Sequence, residues 1–243
     1  MEGGLGVPLF IQIAETIKRR ILEAEYPVGS FIPAAWELEK EFKASNITIR
    51  KALNRLVQEG YLVPKRGLGT QVAQRQDERV EISLTGDFRS WIHTASGRKH
   101  RMGVKILEQD IVVCPHRIRN ILGLPENEKI WRMKRIRTIK GRPISYFVNF
   151  ASPELAIKIR TDDILQRSFI EAFQESCGIK LSKMRQRVQA IIADIDLSRA
   201  LEVDFGAPLF FVETTYFAQD RPVEVTDMYF RADRYVYIAM QSF

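Results

Sequence analysis

Residues 44–72 read ASNITIRKALNRLVQEGYLVPKRGLGTQV, and their pattern decides the fold of the first third of the chain. Ser45 is a good N-cap, and Ile49, Ala52, Leu53, Leu56 and Val57 then recur on one helical face. Gly60 supplies the left-handed stop that ends such a helix. The opposite face carries Thr48, Arg50, Lys51, Asn54, Arg55 and Gln58, side chains able to meet phosphates and base edges. Two short apolar runs, 61–63 and 70–73, follow and are joined by Lys65-Arg66-Gly67-Leu68-Gly69. That is a hairpin with a cationic, sterically open tip.

Upstream of this stretch, Leu9, Ile13, Ile17 and Ile21 follow Pro8 at helical spacing. Tyr26-Pro27-Val28-Gly29-Ser30 breaks that helix, and a short second helix is expected over 34–42, with Leu38 and Phe42 facing inward. Three helices closed by a two-stranded wing make a winged helix-turn-helix. Its third helix would enter the major groove of a duplex, and its wing would touch backbone or minor groove. Charge supports this assignment. From 43 to 75 there are Lys43, Arg50, Lys51, Arg55, Lys65, Arg66 and Arg75 against Glu59 alone. From 10 to 42 acids outnumber bases, so the net charge of +7 concentrates on helix and wing.

The region resembles the GntR family of bacterial transcription regulators. The residues that carry the likeness are Pro8-Leu9-Phe10-x-Gln12-Ile13, Pro27-x-Gly29, Ile32-Pro33 before Glu37-Leu38, Ser45-x-x-Thr48-Ile49-Arg50-x-Ala52-Leu53, Leu56-x-x-Glu59-Gly60 and Gly67-x-Gly69-Thr70. The resemblance implies that Thr48 and Arg50 read DNA, that Lys51 meets a phosphate, and that Gly69 and Thr70 seat the wing. Ser45 and Asn46 at the helix start, Arg55 on its outer face, and Lys65 and Arg66 at the wing tip complete the expected contact set. Two departures stand out. Ala34-Ala35-Trp36 replaces the Ser-Glu-Arg that members commonly place before helix 2, and Asn46 replaces the usual arginine. Each arginine that reads guanine supplies roughly 1–3 kcal/mol of discrimination, so the operator should differ from the family's usual one. Asn46 could instead read adenine, and Trp36 is expected to pack on a neighbouring helix.

The polar segment after the wing reads as a linker, which gives domains at 7–74 and 82–243 joined by 75–81. Strands are expected at 104–113, 129–139, 143–150, 183–195, 208–218, 222–230 and 235–240, and helices at 116–122, about 168–176 and 198–203. This is an α+β domain with an antiparallel sheet. An internal repeat aligns Ile118, Leu122, Leu124, Ile130, Arg142-Pro143 and Phe150 without a gap onto Leu197, Leu201, Val203, Leu209, Arg221-Pro222 and Tyr229. Each half reads helix, strand, hairpin, strand.

The second half resembles the UTRA ligand-binding domain of the HutC-type branch, which shares its fold with chorismate lyase. The residues responsible are Leu122-Gly123-Leu124-Pro125, Arg135-x-Arg137, Gly141-Arg142-Pro143 and the run from Arg221-Pro222-Val223-Glu224 to Tyr229-x-Arg231-x-Asp233-Arg234-Tyr235. The resemblance implies a small-molecule effector held by Thr85, Arg135, Arg137, Ser168, Glu224 and Tyr229. Arg135 and Arg137 share one strand face, so both can point at one anion. Phe147, flanked by Tyr146, stands where sugar-binding members often have an acid, and Asp87 would repel a phosphate. The expected effector is therefore less polar than a sugar phosphate, with a carboxylate as the candidate.

Double-stranded DNA with a palindromic operator, a small-molecule effector and a second copy of the chain are thus the expected partners. Cys114 and Cys177 have no metal or redox spacing and read as small core residues; His93, His100 and His116 are too scattered for a metal site. No cofactor and no catalytic residue is expected. No apolar run approaches the roughly 20 residues of a membrane span, and the expected compartment is the cytoplasm. The competing classes are a chorismate-lyase-like enzyme and a winged-helix protein-interaction module.

Overall fold

A computed structural model describes residues 6–74, 80–83, 102–156, 158–166 and 169–239. The chain divides into two compact units, Met1–Glu78 and Arg79–Phe243. In the first, α1 (Leu9–Leu22), α2 (Ala35–Phe42) and α3 (Asn46–Gln58) precede an antiparallel hairpin of β1 (Leu62–Lys65) and β2 (Gly69–Val72). Ile13, Ala14, Ile17, Leu38, Ile49, Ala52, Leu56 and Val72 form one buried core, so each helix contributes its apolar stripe. Caps set the helix limits. Ser45 Oγ accepts from the Thr48 N–H, and Gly60, at φ +74°, carries the chain out of α3 in a conformation a side chain would disfavour.

The wing has a third partner that the sequence does not suggest. Phe31 bridges Gln71, the Ile32 N–H donates to the Thr70 carbonyl at 3.0 Å, and the Val72 N–H donates to the Ser30 carbonyl at 2.8 Å. The hairpin is therefore anchored to the α1–α2 connection instead of projecting alone. Phe31 also lies 3.6 Å from where a Cβ on Gly69 would stand, at a φ of +114° that already favours glycine.

The second unit is α+β. A six-stranded antiparallel sheet runs in the order β4 (Met102–Val113), β5 (Lys129–Ile139), β6 (Arg142–Ala151), β9 (Arg221–Arg231), β8 (Pro208–Ala218), β7 (Lys183–Ile192). Helices α4 (His116–Leu122) and α8 (Ile195–Leu201) lie on one face. The other is covered by α5 (Pro153–Ala156), α6 (Thr161–Gln166) and α7 (Phe169–Cys177). A parallel pair, β3 (Val80–Ser83) with β10 (Tyr235–Ile238), closes the same face, with the Tyr235 ring 4.6 Å from that of Phe230. Residues 80 and 81, assigned to the linker by sequence, thus belong to β3.

The repeat is a structural one. Helix α4 recurs as α8, β5 as β8 and β6 as β9 at the same sequence offset. Even the irregularities recur: the register slips after Arg137 in one hairpin and after Tyr216, its equivalent, in the other. Val148 pairs directly with Asp227, its own repeat equivalent, so the pseudo-twofold axis runs between those two residues. The largest boundary differences from expectation fall together, at the end of β7 and at α8, which covers 195–201 and not 198–203. β7 ends at Ile192 and Ile195 is helical, because Asp194 Oδ1 accepts from the Leu197 N–H at 2.8 Å and caps α8. Helices α5 and α6 are also additional to the sequence expectation.

Candidate functional sites

Helix α3 and the wing hold the cations of the first unit. Arg50, Lys51, Lys65 and Arg66 are exposed, and among the described residues none of them, nor Lys43, makes an ion pair. The cations of α1 are neutralised: Lys18 binds Glu59 at 3.1 Å, and Arg20 pairs with Glu25 and Glu41. Uncompensated positive charge thus lies on α3 and the wing, where it can release counterions from a polyanion.

Several expected contact residues have structural commitments. Ser45 caps α3, and its Oγ lies 2.9 Å from Thr48 Oγ1, so both hydroxyls serve the helix start. Asn46 Nδ2 donates to Glu39 Oε1 of α2, which uses one of the amide's two N–H groups. Arg55 Nε donates to Glu59 Oε1 at 2.8 Å, one turn on, and Glu59 is shared with Lys18. Arg55 is therefore engaged within the domain by Glu59. Trp36 corrects another expectation: it is 57% exposed, with the Lys40 ammonium 4.8 Å over its ring. Ile47 is also exposed, one residue past Asn46 on α3.

A second polar constellation is buried under the helices of the C-terminal unit. Side-chain alternation sends Arg135 and Arg137 of β5, Ser145, Phe147 and Asn149 of β6, Glu224 and Thr226 of β9 and Tyr216 of β8 to the face that α7 covers. Arg135 Nε donates to Asn149 Oδ1 at 3.2 Å. Asn149 Nδ2 donates to Glu224 Oε1 at 2.9 Å and to Thr226 Oγ1 at 2.7 Å. The Phe147 ring lies beneath both guanidiniums, 4.3 Å from that of Arg135 and 5.0 Å from that of Arg137, while Phe169 of α7 stands 5.6 Å from Arg135. Among the described residues Arg135 makes no other hydrogen bond, so its terminal nitrogens remain as donors. Burial, then the neighbouring Arg137, pull the Arg135 guanidinium down to about 9. Burial pushes the Glu224 carboxyl up to about 8 despite Asn149, Thr226 and Arg135.

Arg135, Arg137, Phe147 and Glu224 are thus brought together. Tyr146 and Tyr229 are not. They pack against the α4 and α8 clusters on the opposite face, their rings 5.8 Å apart. The reason is parity: in an extended strand Tyr146 cannot share a face with Phe147, nor Tyr229 with Glu224, five positions away. Thr85, Asp87 and Ser168 lie outside the described residues. Asn149 and Thr226 complete the network and were missed; each lies two residues from a singled-out side chain, Phe147 or Glu224, which is the signal that finds them. The role of Phe147 also changes, from a sign of a less polar ligand to the platform for two guanidiniums. On the opposite face Arg117 binds both Glu213 and Asp227, and burial raises the Asp227 carboxyl to about 6 against the pull of Arg117. Cys114 and Cys177 are free thiols in the core.

The pattern of the UTRA domain matches residues 97–236, and that of the bacterial regulatory proteins of the gntR family matches residues 10–72. The chain is 25% identical over 233 residues to the HTH-type transcriptional repressor NagR of Bacillus subtilis (strain 168), covering 96% of this chain and 94% of that protein. It is 26% identical to the HTH-type transcriptional regulator GgaR of Escherichia coli (strain K12), covering 95% and 90%. Among solved structures, PhnF from Mycobacterium smegmatis has a similar fold, with a TM-score of 0.57 at 19% identity over 95% of this chain and 99% of that one. Among the described residues no helix is long and apolar enough to cross a membrane.

Proposed function

The chain belongs to the gntR family of bacterial transcription regulators that carry a UTRA domain, and from that premise we propose that it is a repressor whose operator affinity is set by a small anionic effector. The observation that carries the effector reading is the buried pair Arg135 and Arg137 over Phe147, with donor nitrogens of Arg135 left unfilled among the described residues and Glu224 reluctant to ionise. A carboxylate accepts two parallel N–H bonds from one guanidinium, here that of Arg135. The hydrogen-bonded Asn149, Thr226 and Glu224 offer partners for ligand hydroxyls.

DNA recognition rests on Thr48 and Arg50 at base edges, with Lys51, Lys65 and Arg66 on phosphates. Gly69 and Thr70 seat the wing. A homodimer reading a palindrome matches the twofold symmetry of such operators. The test is selection of duplex fragments from a random pool at low salt, followed by gel shifts in the presence of a panel of carboxylates and sugar phosphates. The expected result is an inverted repeat whose binding a carboxylate weakens. Absence of any selected sequence overturns the DNA reading, and preferential response to the sugar phosphates overturns the carboxylate. Release of pyruvate from chorismate would replace the regulator with an enzyme.

A further inference from the structure

At one end of the C-terminal sheet lies a half-open groove of about 630 Å³ that none of the buried-arginine residues lines. Half-buried apolar side chains form it: Leu122 and Leu124 after α4, Leu155 of α5, Ile179 and Leu181 before β7, and Val223 of β9. Its charged lining residues are both cations, Lys180 and Arg221, and both are exposed. Neither makes a hydrogen bond or an ion pair among the described residues. The acid in the adjoining turn, Asp220, is held by Lys183 at 2.7 Å and does not line the groove.

The volume falls within the range of small-molecule sites, and its apolar wall is unfavourable to leave against water. We propose that the groove binds an unbranched aliphatic carboxylate, its chain along the leucines and its head between Lys180 and Arg221. The chemistry is one-sided: an alkyl chain covers the apolar wall, whereas no carboxylate is present to receive an amine. The groove also adjoins the buried site, because Val223 precedes Glu224, and Ser152 follows Ala151, the residue paired with Glu224. An occupant therefore touches the strand ends that carry the buried carboxyl. This site stands apart from the effector reading and does not depend on it.

Calorimetric titration of the full chain with hexanoate, octanoate and decanoate, all below their micellar range, tests the proposal. Affinity should rise with length, up to about fourfold per methylene. Decylamine should not bind measurably. The double variant Lys180→Glu/Arg221→Glu should weaken decanoate binding at least about tenfold, while Arg135→Gln leaves it unchanged. Absence of decanoate binding, equal binding of decylamine, or an unchanged affinity in the double variant overturns the groove. Loss of decanoate binding in Arg135→Gln alone assigns the ligand to the buried arginines and overturns it equally, while leaving the effector reading intact.

Discussion

Two arginines five residues apart on α3 have different fates because of their neighbours. Arg50 is exposed and unpaired, whereas Arg55 is committed to Glu59 at 2.8 Å. Arg50→Ala should therefore weaken binding to a selected operator by roughly 1–3 kcal/mol with unchanged melting. Arg55→Ala should cost roughly 0.3–0.5 kcal/mol of stability and little affinity. Gel shifts and circular dichroism melting separate them, and the reverse order would remove Arg50 from the interface. Glu224 gives a second residue-scale expectation. Its carboxyl is raised to about 8 in the folded chain, so its contribution is complete below the ordinary carboxylate range and is lost as pH rises through about 8. Glu224→Gln, which cannot ionise, should match the native chain in melting at pH 5 and exceed it at pH 9. An equal difference at both pH values would mean that the carboxyl is solvated.

Elements were legible wherever one periodicity ran unbroken. The limits of α4, β5 and β8 coincide with the sequence expectation because turn residues such as Pro115, Gly123, Asn127, Gly141 and Pro208 punctuate them. The end of β7 differs because Ile191, Ile192, Ala193 and Ile195 are all apolar and only the Asp194 cap between them distinguishes strand from helix. The attachment of the wing to the segment around Phe31 and Ile32 was invisible, because a few backbone hydrogen bonds to a distant hairpin leave no periodic mark. Helix α4 is fastened to β8 and β9 by Arg117, which binds Glu213 and Asp227. Arg117→Met should leave two buried acids without a counterion, costing roughly 3–5 kcal/mol at most in urea unfolding at pH 8. The loss should shrink at pH 5, where Asp227 takes up a proton. A loss independent of pH would indicate that packing of the side chain, not its charge, fastens the helix.

For the whole molecule, the repeat provides the frame in which the two roles are carried. Duplication of helix, strand, hairpin and strand generates a pseudo-twofold sheet, yet equivalent positions have diverged. Arg137 corresponds to Tyr216, Ser145 to Glu224 and Phe147 to Thr226, so the buried site is asymmetric on a symmetric scaffold. If that site takes an effector that acts on the DNA-binding unit, the coupling should be about 1–3 kcal/mol and reciprocal. Calorimetry of effector binding with and without operator should therefore return the same factor as operator binding with and without effector; no change in either direction would disconnect the two.

Sequence by itself determined the two-unit organisation in outline, the winged helix, the repeat and the clustering of unpaired cations, because helix stripes, strand alternation and charge runs are written locally. Only the tertiary structure decided which of those side chains are free. Asn46 and Arg55 are occupied by acids brought from α2 and the end of α3, and Tyr146 and Tyr229 fall on the far side of the sheet. The network through Asn149 exists because β9, distant in sequence, meets the β5–β6 hairpin side by side. Pairing across such distances depends on register and burial, which no local pattern encodes.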